Sequence, residues 1–399
     1  MRYFLLSFLL LPCLLPQARG ADTLQAPNVV IVTIDGLRWQ EVFCGMDETI
    51  VSEGSYAAEP ELLRLLYGGT GTAERRERLM PFLWRVVARE GQLYGNRQYG
   101  NKMDVSNWYK FSYPGYNEML TGYADSRCIP NTPVANRNTN LLEFLNRQEA
   151  YRGKIAAFSS WNIFPYILNE RRSGIPVNSG YEASGEADGR VRWIDSAQEL
   201  VPHKGHTRFD ELTYLQAREY MRLHHPKVVL IGFGEADEFA HHGRYDAYLQ
   251  SIHNTDRMIG ELWYYLQTEA FYRNNTLLLL TTDHGRGRKA RNWTDHLFLV
   301  GGSGEIWMAI MGAGIQPLGE VRQRRKILQK QIAATVAGFL NIRFTCEHPV
   351  AEGVDIPRDG PKGNPVWVWR PDQTLPEAAL PAALPEKMQP PRKVPSSAR

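Results

Sequence analysis

The run LLLLTTDHGRG at residues 277–287 constrains this chain more than any other segment. An apolar strand stops there at Asp283 and His284, two residue types that ligate metals. Open α/β sheets place their active sites at the carboxyl ends of their strands. A carboxylate beside an imidazole at such a place suits a divalent ion, although Asp-His also occurs in capped turns. The same grammar recurs in NVVIVTIDGLRWQ (residues 28–40), where a β-branched strand leads to Asp35 and then Gly36 for a tight turn. In VVLIGFGEADEFAHHGRYD (residues 228–246) a third apolar strand leads to Asp237 and His241, spaced to share one side of a helical turn. His296 follows in RNWTDHLFLVGGSGEIWMAIMGAGI (residues 291–315), ahead of another strand, IWMAIM. Each residue alone has a structural explanation, since a buried Asp often caps a helix and a lone His is more often packing than ligand. Strand ends that together carry Asp, Asp with His, Asp-His and His call for metal.

Strands are expected at residues 28–34, 153–158, 227–233, 276–282 and 306–311. Helices are expected between them, at 80–90, 140–148, 209–224 and 248–268. This alternation implies an α/β fold, a mainly parallel sheet with helices on both faces. Residues 46–78 carry few strand signals and read as an insertion or lid. A chain of 399 residues is ample for one large core, and its net charge of +3 is too mild to argue for nucleic acid or membrane.

Residues 1–20 read as a secretory signal peptide: Arg2, an apolar run, then small residues before cleavage after Gly20 or Ala21. The run is short for a spanning helix, which needs about 20 apolar residues. No later segment could span a membrane, so the expected location is secreted or periplasmic. Residues 27–369 form the expected catalytic domain, and the Pro/Ala-rich residues 370–399 a disordered tail. Cys44, Cys128 and Cys346 allow one disulfide with one thiol, or three thiols.

The pieces VTIDGLR, FSYPGYNEMLTG, GEADEFAH, TTDHGRG and WTDH, in this order, resemble the alkaline phosphatase superfamily. That group includes nucleotide pyrophosphatase/phosphodiesterases, cofactor-independent phosphoglycerate mutases, phosphopentomutases and sulfatases. The resemblance spans residues 28 to about 315 and implies an alkaline-phosphatase-like fold. It implies one metal on Asp35, Asp283 and His284 and a second on Asp237, His241 and His296. Paired ions about 3.5–4 Å apart can stabilise both attacking and leaving oxygens of a phosphoryl displacement. Zinc is the expected metal, with manganese the alternative.

The resemblance also places the nucleophile at Ser112, two residues before Pro114 and ahead of Thr121-Gly122. Metal coordination would activate its hydroxyl, and a helix start there favours a bound phosphate. The plainer reading makes Ser112 a helix N-cap. No Cys-x-Pro-x-Arg pattern is present, which argues against formylglycine sulfatase chemistry. Asn131 is the expected ligand of a phosphoryl oxygen, ahead of Asn136 and Asn117. In residues 159–178, Arg171 and Arg172 are candidates for a second phosphate charge, and Trp161, Phe164 and Tyr166 for stacking on a base or sugar, while the plainer reading makes the aromatics core and the arginines a solvated face.

The gap from His284 to His296 is shorter than in the phosphodiesterase branch, and Tyr113-Pro114-Gly115 stand where alkaline phosphatase keeps an arginine. The expected function is a metal-dependent phosphoric-ester hydrolase with a phosphoserine intermediate, leaning to diesters or pyrophosphates. Its partner would be a small-molecule phosphate ester, with no nucleic-acid surface. Phosphomonoesterase, phosphotransferase or mutase, and sulfatase are the alternatives within the superfamily. A catalytically silent metal-binding protein is the alternative outside enzymes. The oligomeric state is left open.

Overall fold

Valine and isoleucine fill Asn28–Ile34, and all seven residues are buried. That pattern suits a strand covered on both faces in the middle of a parallel sheet. The computed structural model describes residues 27–127 and 130–358. The expected signal peptide, Cys128 and the expected C-terminal tail lie outside the described residues.

The strands in chain order are β1 (Asn28–Ile34), β2 (Gly91–Tyr94), β3 (Asn101–Asp104), β4 (Ile155–Ser159), β5 (Val177–Ser179), β6 (Val228–Phe233), β7 (Thr276–Thr281), β8 (Glu305–Ile306), β9 (Met308–Gly312), β10 (Gly319–Glu320) and β11 (Arg325–Leu328). Eight form one sheet in the order β10-β2-β9-β7-β1-β6-β4-β5. The block from β7 to β5 is parallel throughout, and β9 runs antiparallel to both its neighbours. A small sheet, β11-β3-β8, stands apart.

Side chains alternate across each strand, so the sheet divides the core in two. Val30, Val32, Leu278 and Leu280 face a cluster that takes Leu249, Ile252, Ile259 and Leu262 from the helix Tyr245–Thr268. Val29, Ile31, Leu277 and Leu279 face a cluster that takes Tyr113, Tyr116 and Met119 from the helix Ser112–Thr121. The expected α/β architecture with helices on both faces is therefore the observed one.

Two expectations change in detail. The apolar run expected as one strand at 306–311 is two, because β8 pairs with β3 in the small sheet while β9 joins the main one. Trp307 lies between them, buried, and donates its indole N–H to the Leu37 carbonyl at 3.1 Å. The 46–78 segment holds three short helices, Glu48–Val51, Pro60–Tyr67 and Thr72–Leu79. Ile50, Val51, Leu63, Tyr67 and Leu79 from these helices pack into the core.

The helix Ser112–Thr121 is fastened by Glu118. Its buried carboxylate accepts from Ser106 N–H at 2.9 Å, Asn107 N–H at 2.7 Å and Lys330 N–H at 3.1 Å. Leaving buried donors unpaired costs about 1–3 kcal/mol each. Glu118→Ala is expected to lower unfolding stability by about 3 kcal/mol or more, read from the denaturant midpoint. A midpoint within error of wild type would show that these bonds do not hold the helix.

Candidate metal centre

Three central strands end beside one another. Thr33 of β1 pairs with Gly232 of β6 on one side and Thr281 of β7 on the other. Asp35, Asp237 and the pair Asp283-His284 follow these strands within a few residues and so emerge into one space. Gly36 makes the turn after β1 with φ 61°, and its N–H donates to Asp283 Oδ1 at 3.1 Å.

Asp35, Asp283 and His284 offer ligand atoms that all lie within 4.8 Å of one another, and all three are buried. His284 Nδ1 lies 2.9 Å from the Gly285 carbonyl, which sets the proton on that nitrogen. Nε2 is thereby left free to face the carboxylates, as is usual for a metal-ligating histidine. Nε2 stands 3.3 Å from Asp35 Oδ1 and 3.6 Å from Asp283 Oδ2. Ser112, the first residue of its helix, brings Oγ to 3.3 Å from His284 Nε2 and 3.4 Å from Asp35 Oδ1.

Asp237, His284 and His296 form a second such cluster. His241 adjoins it, with Nε2 at 3.0 Å from both Asp237 Oδ2 and His296 Nε2. The helix Glu235–His241 sets this pair, since residues four apart share a face. The six expected ligands and Ser112 thus converge, with His284 lying between the two groups.

Two arginines that sequence reasoning passed over complete the surroundings. Arg286 is buried and bonds to Asp237 Oδ1 and to the Thr294 carbonyl. Its Nε donates to the Trp293 carbonyl at 3.0 Å. Arg38, also buried, is paired with Glu41 and donates to the Gly287 carbonyl at 3.0 Å. The available signal was position: Arg286 stands two residues after His284, in the same loop.

The charges are unevenly met. Burial, then the neighbouring charges of Asp283 and Asp237, hold the Asp35 carboxyl well above the usual range. Burial, then repulsion from Asp237, also raises Asp283 despite the attraction of His284. For His284 burial opposes charge, but Asp283, Asp35 and Asp237 outweigh it and push the pKa up to about 9. Burial would also raise Asp237, yet Arg286 followed by His241 and His296 keeps it well below the usual range. Burial, then the charge of His284, depresses His296.

The expected substrate residues are placed differently. Asn131 is exposed, and its Oδ1 accepts from Tyr113 N–H at 2.9 Å, so it touches the start of the nucleophile helix. Asn136 and Asn117 are buried and bonded to each other at 3.1 Å. Arg172 does not reach toward the cluster. It holds the buried Glu143 through Nε and NH2, both at 2.8 Å, and donates to the carbonyls of Arg137 and Asn138. Arg171 is exposed on the same turn, and among the described residues no hydrogen bond or ion pair joins it to the cluster. Phe164 is core, edge-on to Tyr116 at 4.7 Å, Trp161 is half-buried and Tyr166 is exposed.

Divalent ions fit these donors. Carboxylate oxygens and imidazole nitrogens converge, as hard and borderline cations require. Asp283 Oδ2 and His296 Nδ1 are buried without a hydrogen-bond partner, and a buried carboxylate oxygen left unpaired is costly unless a cation meets it.

Residues 204–343 match the family model described as Metalloenzyme superfamily. No curated protein matches the chain in sequence. Solved structures do match in fold. The lipoteichoic acid synthase LtaP from Listeria monocytogenes is similar at TM-score 0.52 and 13% identity, over 80% of this chain and 73% of that one. The alkaline phosphatase PafA is similar at 0.51 and 11%, over 81% and 97%. BT1596, a 2-O GAG sulfatase, is similar at 0.50 and 14%, over 81% and 72%. In fold the chain is similar to LtaP and to the alkaline phosphatase PafA, and its residues 204–343 match the Metalloenzyme superfamily model.

Gly36 gives a test of the geometry. A Cβ there would collide with Asp237 Oδ1 and press on Arg286, and the positive φ already disfavours a side chain. Gly36→Ala is expected to lower bound metal at least tenfold in affinity while far-UV circular dichroism stays native. Unchanged affinity would mean that the turn does not set the spacing of Asp35 and Asp237.

Proposed function

We propose that this chain is a divalent-metal-dependent hydrolase of phosphoric esters, with Ser112 as nucleophile. The observation that supports this best is the position of Ser112 Oγ. It starts a helix and stands at 3.3–3.4 Å from two residues of the Asp35–Asp283–His284 cluster. Asp35, Asp283 and His284 would hold one ion, and Asp237, His241 and His296 the other, with zinc the leading choice. When bound, such ions supply Lewis acidity toward phosphoryl oxygens and lower the pKa of a coordinated hydroxyl.

The chain's own residues supply the rest. Ser112 Oγ attacks phosphorus and the ester oxygen leaves, so a phosphoserine forms. Asp35 Oδ1 is placed to accept the hydroxyl hydrogen bond and orient Oγ. The helix start adds its positive end to the phosphoryl group. Water then releases the phosphoryl group from Ser112, as a phosphate monoester when the substrate is a diester, and two displacements give net retention at phosphorus. The six proposed ligands and the Ser112 hydroxyl lie together, which supports this reading over a silent binding protein. The apolar leader at residues 1–20 supports a secreted or periplasmic site of action.

A diester or pyrophosphate is favoured over a monoester. A monoester dianion needs positive charge beyond the ions, and no arginine or lysine directly follows Ser112. A diester needs room for its second substituent. Trp108, on the segment leading to Ser112, stacks on Phe298, just beyond His296, at 5.6 Å and 28°. Both rings are exposed.

Ser112→Ala should cut turnover by several orders of magnitude and leave metal content near wild type, because it removes only the attacking group. A loss within about tenfold, only ~1.4 kcal/mol of barrier, would remove Ser112 from this role. Exhaustive chelation should abolish hydrolysis of bis-nitrophenyl phosphate, and zinc or manganese should restore it. Full activity in metal-free protein, or a specificity constant that strongly favours nitrophenyl phosphate, would contradict the metal or the diester reading respectively.

A further inference from the structure

Arg286 touches the same donors that the second ion would use. Its guanidinium bonds to Asp237 Oδ1, and NH2 lies 3.4 Å from His241 Nδ1. Nε and NH2 are anchored on the carbonyls of Trp293 and Thr294, the backbone that leads to His296. One side chain therefore touches Asp237 and His241 and anchors the backbone that leads to His296. The group is only 1% exposed, and a guanidinium keeps its charge at any ordinary pH.

At the second group the Arg286 guanidinium already takes Asp237 Oδ1 and lies beside the His241 ring. At the first group, among the described residues, no arginine bonds to Asp35 or Asp283, and Asp283 Oδ2 has no hydrogen-bond partner.

We propose that Arg286 is a built-in cation at the second position, which a second divalent ion must displace, so that the two positions load unequally. This rests on the two-ion reading above. An ion held there would take Asp237 Oδ1 from Arg286. The displaced guanidinium stays tethered by Trp293 and Thr294.

Zinc titration of chelated protein by calorimetry, with metal content checked after gel filtration, tests this without activity. Wild type should bind one equivalent tightly and a second at least tenfold more weakly. Arg286→Met, which removes the charge and keeps bulk, should tighten the second equivalent at least tenfold. Arg286→Lys, which keeps the charge, should leave it weak. Two equal equivalents in wild type would overturn the proposal and leave the two-ion reading intact, whether or not the variants fold. A folded Arg286→Met protein whose second equivalent is no tighter would also overturn it. Failure of wild type to bind any zinc or manganese would remove both.

Discussion

Three carboxylates, from Asp35, Asp237 and Asp283, emerge from adjoining parallel strands into one space. Two unit charges about 4 Å apart interact by about 4 kcal/mol at an effective dielectric of about 20. Repulsion of that size is a large share of the whole stability of an ordinary domain, about 5–15 kcal/mol. The cluster therefore has to be neutralised, by protons or by cations. Protons are the solution that burial and mutual repulsion favour at Asp35 and Asp283. A guanidinium is the solution at Asp237. Divalent ions meet the same need and create a reactive centre in doing so.

The rest of the fold serves that convergence. The parallel order β7-β1-β6 sets the three strand ends side by side, and the buried alternating side chains on both faces leave the sheet no freedom to slip in register. The helix Ser112–Thr121 packs on one face and delivers its first residue to the cluster. Gly115 in its first turn lets it come close, since a Cβ there would strike the Asp283 backbone. Arg38 and Arg286 tie down the loop after β7 from the other side. Ser112, Asp237 and His241 are thus carried on helices, while Asp35, Asp283 and His284 follow directly on buried central strands.

The strands and the proposed ligands Asp35, Asp237, Asp283 and His284 were legible because each of these residues follows its strand within a few residues, a purely local signal. Asp35 and Asp283 needed only the apolar run before them and the turn residue after. Arg286 was not legible in its role, because the partner that defines it, Asp237, lies on a helix that follows another strand. Arg172 read as a free cation because nothing local reveals Glu143, a buried carboxylate that claims it. Phe164 read as a stacking surface because the rotation of its short helix, which turns it toward Tyr116, is set by packing and not by spacing. The break at Trp307 is likewise tertiary, since two sheets compete for one apolar run.

The central claim is that the buried carboxylates exist to hold a cation beside Ser112. Crystals of the protein loaded with zinc, measured on either side of the zinc absorption edge, test it directly. An anomalous peak is expected among Asp35, Asp283 and His284, with Ser112 Oγ in contact with it. Loaded crystals with no peak among these three residues, or with a peak held only by surface histidines such as His224 and His225, would contradict the account.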